Sequence, residues 1–175
     1  MTKPLEYLGR QWARFKLRWG RRWEPVALRE ALLAAECLLV CLPERDVPQA
    51  REIVVLMEAL GIRRTTVLCA HPAKIQGFGP EVGALSLEDV GWFHLPRRAL
   101  KDRIIHGGYD VAIDLNRDFS IASAYLCALS GAKLRVGLGA TDDGTFFNLH
   151  YQGGSTTLGD TCQSLARLFR EMRGG

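Results

Sequence analysis

The chain has 175 residues and a mass of 19.5 kDa, enough for one domain with a real core and too little for two full ones. Hydrophobic residues make up 47% and charged residues 24%, which excludes a mostly disordered chain. The net charge of +4 is unevenly placed: residues 1–24 hold seven basic residues against two acidic, a net +5, and the remainder holds 16 against 17, a net −1. A uniformly basic nucleic-acid-binding domain is therefore not expected; a basic attachment segment on a near-neutral domain is.

Residues 4–20 read as a helix. Leu5, Leu8, Trp12, Phe15 and Trp19 recur at steps of three and four and make one apolar stripe. Arg10, Arg14, Arg18 and Arg21 share much of the other side, Arg22 and Trp23 follow, and Gly20 and Pro25 end the pattern. Three of the four tryptophans fall in this segment. Indole rings at headgroup depth and basic groups against anionic lipid suit a bilayer interface. Trp and Arg are also enriched at protein interfaces. The segment predicts attachment to an anionic membrane surface or to a larger protein assembly through residues 4–23, with packing of the stripe on the chain's own domain as the alternative. Nucleic acid is not expected, because the aromatics share one stripe rather than alternating with bases along a groove.

Residues 26–35 predict a short helix, and 36–42 (ECLLVCL) a buried parallel strand ended by Pro43. A helix over 46–60 follows, with Ile53, Val54, Met57 and Leu60 facing inward and Gly61 closing it. Next come a strand over 65–70, a glycine- and proline-containing loop over 71–86, a short strand over 91–95, and a helix over 97–105. Residues 109–115 are the clearest strand, followed by a helix over 118–129 closing at Gly131 and strands over 133–138 and 146–151. An amphipathic helix over 157–173 turns Leu158, Cys162, Leu165, Leu168, Phe169 and Met172 inward. This alternation predicts an α/β fold with a mostly parallel sheet covered on both faces: one Rossmann-like domain over 25–175, preceded by the amphipathic helix within 1–24.

The five cysteines (Cys37, Cys41, Cys69, Cys127 and Cys162) form no CxxC pair, and all but Cys162 sit in apolar runs. They predict buried reduced thiols, which suits a reducing cytoplasm. The four histidines have no metal-ligand spacing, and neither a metal nor a cofactor is expected. No signal-peptide pattern follows the basic N-terminus. No stretch approaches the ~20 apolar residues of a membrane span, so a cytoplasmic protein, peripheral at the inner membrane face, is expected.

Two places invite chemistry. Asp46 follows a strand and opens a helix, which reads first as an N-cap paired with Gln49 and, as the alternative, as a base at the carboxyl edge of an open α/β sheet. Asp114, Asn116, Arg117 and Asp118 cluster at the end of the strongest strand. There Asn116 and Arg117 would hold a phosphate or hydroxyl near the next helix N-terminus, or Asp118 would simply cap that helix. Ser120, Ser123 and Ser130 lack the GxSxG elbow of a hydrolase.

The stretch GYDVAIDLNRDFSIASAYLCALSGAKLRVGLG over 108–139 resembles the N-terminal domain of family-nine glycosyltransferases, the heptosyltransferases, through Asp110, Asp114, Ser130, Gly131, Ala132, Lys133, Arg135 and Gly137. LLVCLPERDVPQAREIVVLMEALG is similar to that family's opening strand, loop and helix, where a Gly-Asp pair precedes the helix and the aspartate is taken as the general base. The resemblance covers roughly 36–140 and implies half of a GT-B fold, with Asp46 as the base acting on an acceptor hydroxyl. Arg45 stands where the family has glycine. The family carries a second Rossmann-like domain that binds most of the sugar-nucleotide, so the resemblance implies a half-enzyme completed by a partner chain or a homodimer. The chain also resembles short single-domain bacterial proteins with a WF…YDxxIxL…LSxAKxxVG pattern. The two functional expectations are a non-catalytic binding or adaptor module attached through its first helix and, alternatively, a glycosyltransferase-like half.

Overall fold

The computed structural model describes residues 4–20, 27–44, 50–70, 82–87, 90–91, 94–138, 144–154 and 157–174, with residues 4 and 18–20 described by backbone alone. In chain order the elements are α1 (Pro4–Gly20), α2 (Leu28–Leu33), β1 (Cys37–Cys41), α3 (Ala50–Leu60), β2 (Arg64–Cys69), β3 (Val82–Ser86), α4 (Arg98–Ile105), β4 (Val111–Asp114), α5 (Ile121–Leu129), β5 (Leu134–Leu138), β6 (Leu149–Tyr151) and α6 (Leu158–Gly174). The six strands form one sheet in the order β3-β2-β1-β4-β5-β6, and every neighbouring pair is parallel. The order reverses between β1 and β4, which makes the fold a single doubly wound, Rossmann-like α/β domain.

The continuous apolar run of β1 follows from burial on both faces. Leu38 and Val40 join a core with Leu32 of α2, Ile53 and Leu56 of α3, and Leu165 and Phe169 of α6. Cys37, Leu39 and Cys41 join the opposite core with Ile104 of α4, Leu126 of α5, and Ala13 and Leu17 of α1. Parallel pairing sets Cys41 beside Asp114, so the carboxyl ends of β1 and β4 meet at the point where the strand order reverses.

Helix ends follow local chemistry. Gly61, at φ +66, lets the chain turn left-handed after α3. The Gly61 N–H then donates to the Glu58 carbonyl at 3.1 Å, and that of Ile62 to the Met57 carbonyl at 2.9 Å, the paired bonds of a Schellman motif. From the last turn of α6, Arg173 Nη1 donates to the Ala59 carbonyl at 3.1 Å. A cation here also complements the negative end of α3.

Several elements differ from expectation. Residues 82–86, within the expected loop, form edge strand β3, where only Leu85 is buried; an edge strand with so little burial carries no apolar run to read. Of the strand expected over 91–95, the described residues 91, 94 and 95 form none. An isolated antiparallel bridge joins Val90 to Pro96, and the Gly91 N–H donates to the Leu95 carbonyl at 2.8 Å. Helix α5 starts at Ile121 with Ser120 as its N-cap, not at Asp118. The inner face of α3 uses Leu56 while Val54 is half-buried, and Leu168 and Met172 of α6 are half-buried while Thr161 and Ala166 are buried. Phe146 and Phe147 are buried ahead of β6 rather than within it.

Candidate functional site

Helix α1 lies against α5, but not by its aromatic stripe. The buried positions are Gly9, Ala13 and Leu17, four residues apart on one face. Small residues at 9 and 13 allow a close helix approach, and α5 answers with its own small residues, Ala124 and Ala128, in the same core as Ala13 and Leu17. The stripe is turned outward: Leu5 is 45%, Leu8 53%, Trp12 44% and Phe15 55% exposed. Trp12 sits at the border, its ring edge-on to Tyr125 with centroids 6.2 Å apart. Lys16 Nζ lies 5.7 Å from the Trp12 ring on the outer side.

Arg10 and Arg14 lie on the other side of the helix from the stripe, as expected, but they are not simply solvated. Arg10 and Arg14 are half-buried, and the Arg10 guanidinium stacks 4.3 Å over the Phe119 ring at the entry to α5. On a 100° wheel Arg10 is opposite Trp12 and Phe15, because the face between them is the one that meets the domain. Arg18 and Trp19 belong to α1 by backbone, and their side chains are outside the described residues. Arg21, Arg22, Trp23 and Asp46 also lie outside them.

At the end of β4 the structure brings Asp114 and Asn116 together and leaves Arg117 and Asp118 exposed beyond them. The Asp114 carboxylate is buried and fully engaged. Oδ1 accepts from the Asn116 backbone N–H at 3.1 Å and from Asn116 Nδ2 at 2.5 Å, and Oδ2 accepts from Ser123 Oγ at 2.7 Å. Burial pushes the Asp114 carboxyl up to about 6, against the opposing pull of these donors. Ser123, absent from the expected site, completes the network because α5 folds back over the strand end; the nine-residue spacing from Asp114 gives no sequence signal for that. Beneath it the thiols of Cys41 and Cys127 lie 3.5 Å apart in a shared hydrogen bond. That bond and burial raise the Cys41 thiol well above its ordinary range, so it is not a nucleophile at neutral pH. The arrangement fixes the β4–α5 turn, with Asn116 half-buried at its start.

The residues that carry the family resemblance have structural partners. Asp110 Oδ2 accepts the Glu36 and Cys37 backbone N–H groups at 2.9 and 3.0 Å, fastening the start of β1 to β4. Ser130 Oγ donates to the Cys127 carbonyl at 2.7 Å and accepts from Ala132 N–H at 3.2 Å, closing α5 before Gly131 at φ +81. Arg135 is buried, with Nε on the Phe146 carbonyl at 3.0 Å and Nη1 on the Ala132 carbonyl at 2.8 Å. A Cβ at Gly137 would stand 2.5 Å from the Phe147 ring. This motif specifies a strand–helix–strand unit.

All five cysteines are free and buried. Among the described residues no three His, Cys, Asp or Glu side chains gather as a metal site, and no helix is long and apolar enough to cross a membrane. An open cavity of about 570 Å³ at the opposite edge of the sheet is lined by Leu33, Ala35, Glu36, Gly61, Arg63 and Arg64. The carbonyl ends of α2 and α3 converge there, so its arginines complement helix dipoles; Arg64 Nε also donates to Cys37 Sγ at 3.2 Å. A scan against protein-family models finds no match, and a search of curated proteins finds none.

Proposed function

We propose that this protein is a non-catalytic attachment module: a Rossmann-like domain that holds to a larger surface through the outer face of α1. The observation that carries this reading is the division of α1 into two faces. Gly9, Ala13 and Leu17 secure the helix to α5, with an edge contact from Trp12 to Tyr125, while Leu5, Leu8, Phe15 and much of Trp12 stay exposed. Large apolar side chains in a row on a soluble face mark interaction sites. Fractionation of the protein from its own cells tests this. The wild type is expected to sediment with larger material, and the triple variant Leu8→Gln, Trp12→Gln, Phe15→Gln to run as a free chain with its fold intact by circular dichroism. Unchanged sedimentation of the folded variant would overturn the reading.

The strand order and the polar end of β4 favour one second reading, the glycosyltransferase-like half suggested by the resemblance. In it Asp46 would take the proton of an acceptor hydroxyl, and Asn116 and Arg117 would orient acceptor or phosphate. Sugar-nucleotide binding to the chain, lost in Asn116→Ala, would support it.

A further inference from the structure

We propose that the occupant of the outer face of α1 is an anionic lipid bilayer, with the helix lying in the plane of the interface. The inference rests on the attachment reading above and goes one step further by naming the partner.

Area is the first argument. Half-exposed Leu5, Leu8, Trp12 and Phe15 offer on the order of 400 Å² together, about half of the ~800 Å² each partner of a stable protein complex contributes. A second copy, or another folded protein, would have to cover a polar rim of roughly equal area beside the stripe to reach that size. A bilayer needs no shape-matched pocket and takes up each side chain separately.

Side-chain type is the second. The stripe couples leucines to Trp12 and Phe15, and Lys16 stands exposed with its ammonium beside the Trp12 ring. An indole at the boundary with a basic group next to it matches headgroup depth, where the ring is half in hydrocarbon and the cation meets phosphate.

Charge complementarity is the third. The net +5 of residues 1–24, against −1 for the rest of the chain, gathers the positive field at the end that carries the stripe. Arg10 faces the domain, yet it is still part of that field. An anionic leaflet within a Debye length attracts such a segment, and salt weakens the attraction.

Flotation of the full chain tests the proposal, with vesicles of phosphatidylglycerol and phosphatidylcholine against vesicles of phosphatidylcholine alone. The wild type is expected to float with the anionic vesicles, to partition about tenfold more weakly on the neutral ones, and to weaken again at high salt. The triple variant at Leu8, Trp12 and Phe15 is expected to stay at the bottom. Leu5→Gln with Leu8→Gln, which leaves the Trp12–Tyr125 contact untouched, serves if the triple variant fails to fold, and is expected to lose most of the binding. A wild type that ignores anionic vesicles overturns the lipid assignment. If the stripe variants still release the protein from its sedimenting partner in cells, the attachment reading survives and the partner is a protein. If they change neither assay, both fall.

Discussion

Trp12 and Ala13 are neighbours in the chain, yet Ala13 is fully buried against α5 while Trp12 leaves 44% of its surface to solvent. The smaller residue holds the helix in place and the larger one is offered outward. A helix that existed only to complete the core would place its aromatics the other way, because aromatic burial contributes most per side chain. This inversion is the physical basis for reading α1 as an attachment device.

The two faces of α1 should respond in opposite ways to substitution. Leu17→Ala deletes buried volume at the α1–α5 contact and is expected to lower stability by about 2–4 kcal/mol, and Ala13→Leu overpacks the same contact at a cost of about 1–3 kcal/mol. Leu8→Gln, on the outer face, is expected to change stability by less than about 0.5 kcal/mol. Urea unfolding of the three variants checks this ordering; a Leu8 variant as damaging as the Leu17 variant would contradict it.

Asp114 carries a pH signature. Its carboxyl sits at about 6 in the folded chain, above the ordinary 3.8, because burial penalises the charge. Below both values it is protonated in the folded and unfolded chains alike, and its contribution to stability is fully present. As pH rises from about 4 to 6 the unfolded chain releases its proton first, so stability from this group falls by about 3 kcal/mol and stays lost above that window. Asp114→Asn keeps a polar group beside Asn116 and Ser123 without the titration. The wild-type minus variant stability, measured by urea unfolding at several pH values, should therefore decline across pH 4–6. A flat difference would show that the carboxyl is not desolvated.

The paired residues of the 108–139 stretch are expected to matter for folding. Asp110→Ala removes the acceptor for the Glu36 and Cys37 N–H groups and should cost about 1–3 kcal/mol. Gly137→Ala drives a methyl into the Phe147 ring and should cost a similar amount. Thermal unfolding measures both; two variants with wild-type Tm would show that these contacts are dispensable.

Buried thiols should be silent. All five cysteines are free and buried, and burial pushes the Cys162 thiol up to about 12. Dithionitrobenzoate is expected to label none of them promptly in the native protein and all five in denaturant. Prompt native labelling of any one would contradict the packing around it.

The sequence made the central strands legible because burial on both faces leaves unbroken apolar runs at 37–41 and 111–113. Edge strand β3 was not legible: with only Leu85 buried, its pattern matches a loop. The aromatic stripe of α1 was visible from its three-and-four spacing. Which face would meet the domain was not, because Gly9 and Ala13 act through their smallness and small residues leave no periodic signal. At the end of β4 the cluster of polar residues was readable, but the engagement of Asp114 by Ser123 depends on where α5 crosses the strand end, and spacing alone does not encode that.

The most direct test of the attachment surface uses the silence of the native thiols. A spin label on Leu8→Cys reports the outer face of α1, and one on Arg167→Cys reports an exposed position of α6. Collision with a water-soluble relaxation agent is measured with and without anionic vesicles. The label at position 8 is expected to be shielded when vesicles are present while the label at 167 remains accessible. Equal accessibility at both positions, with and without vesicles, would contradict it.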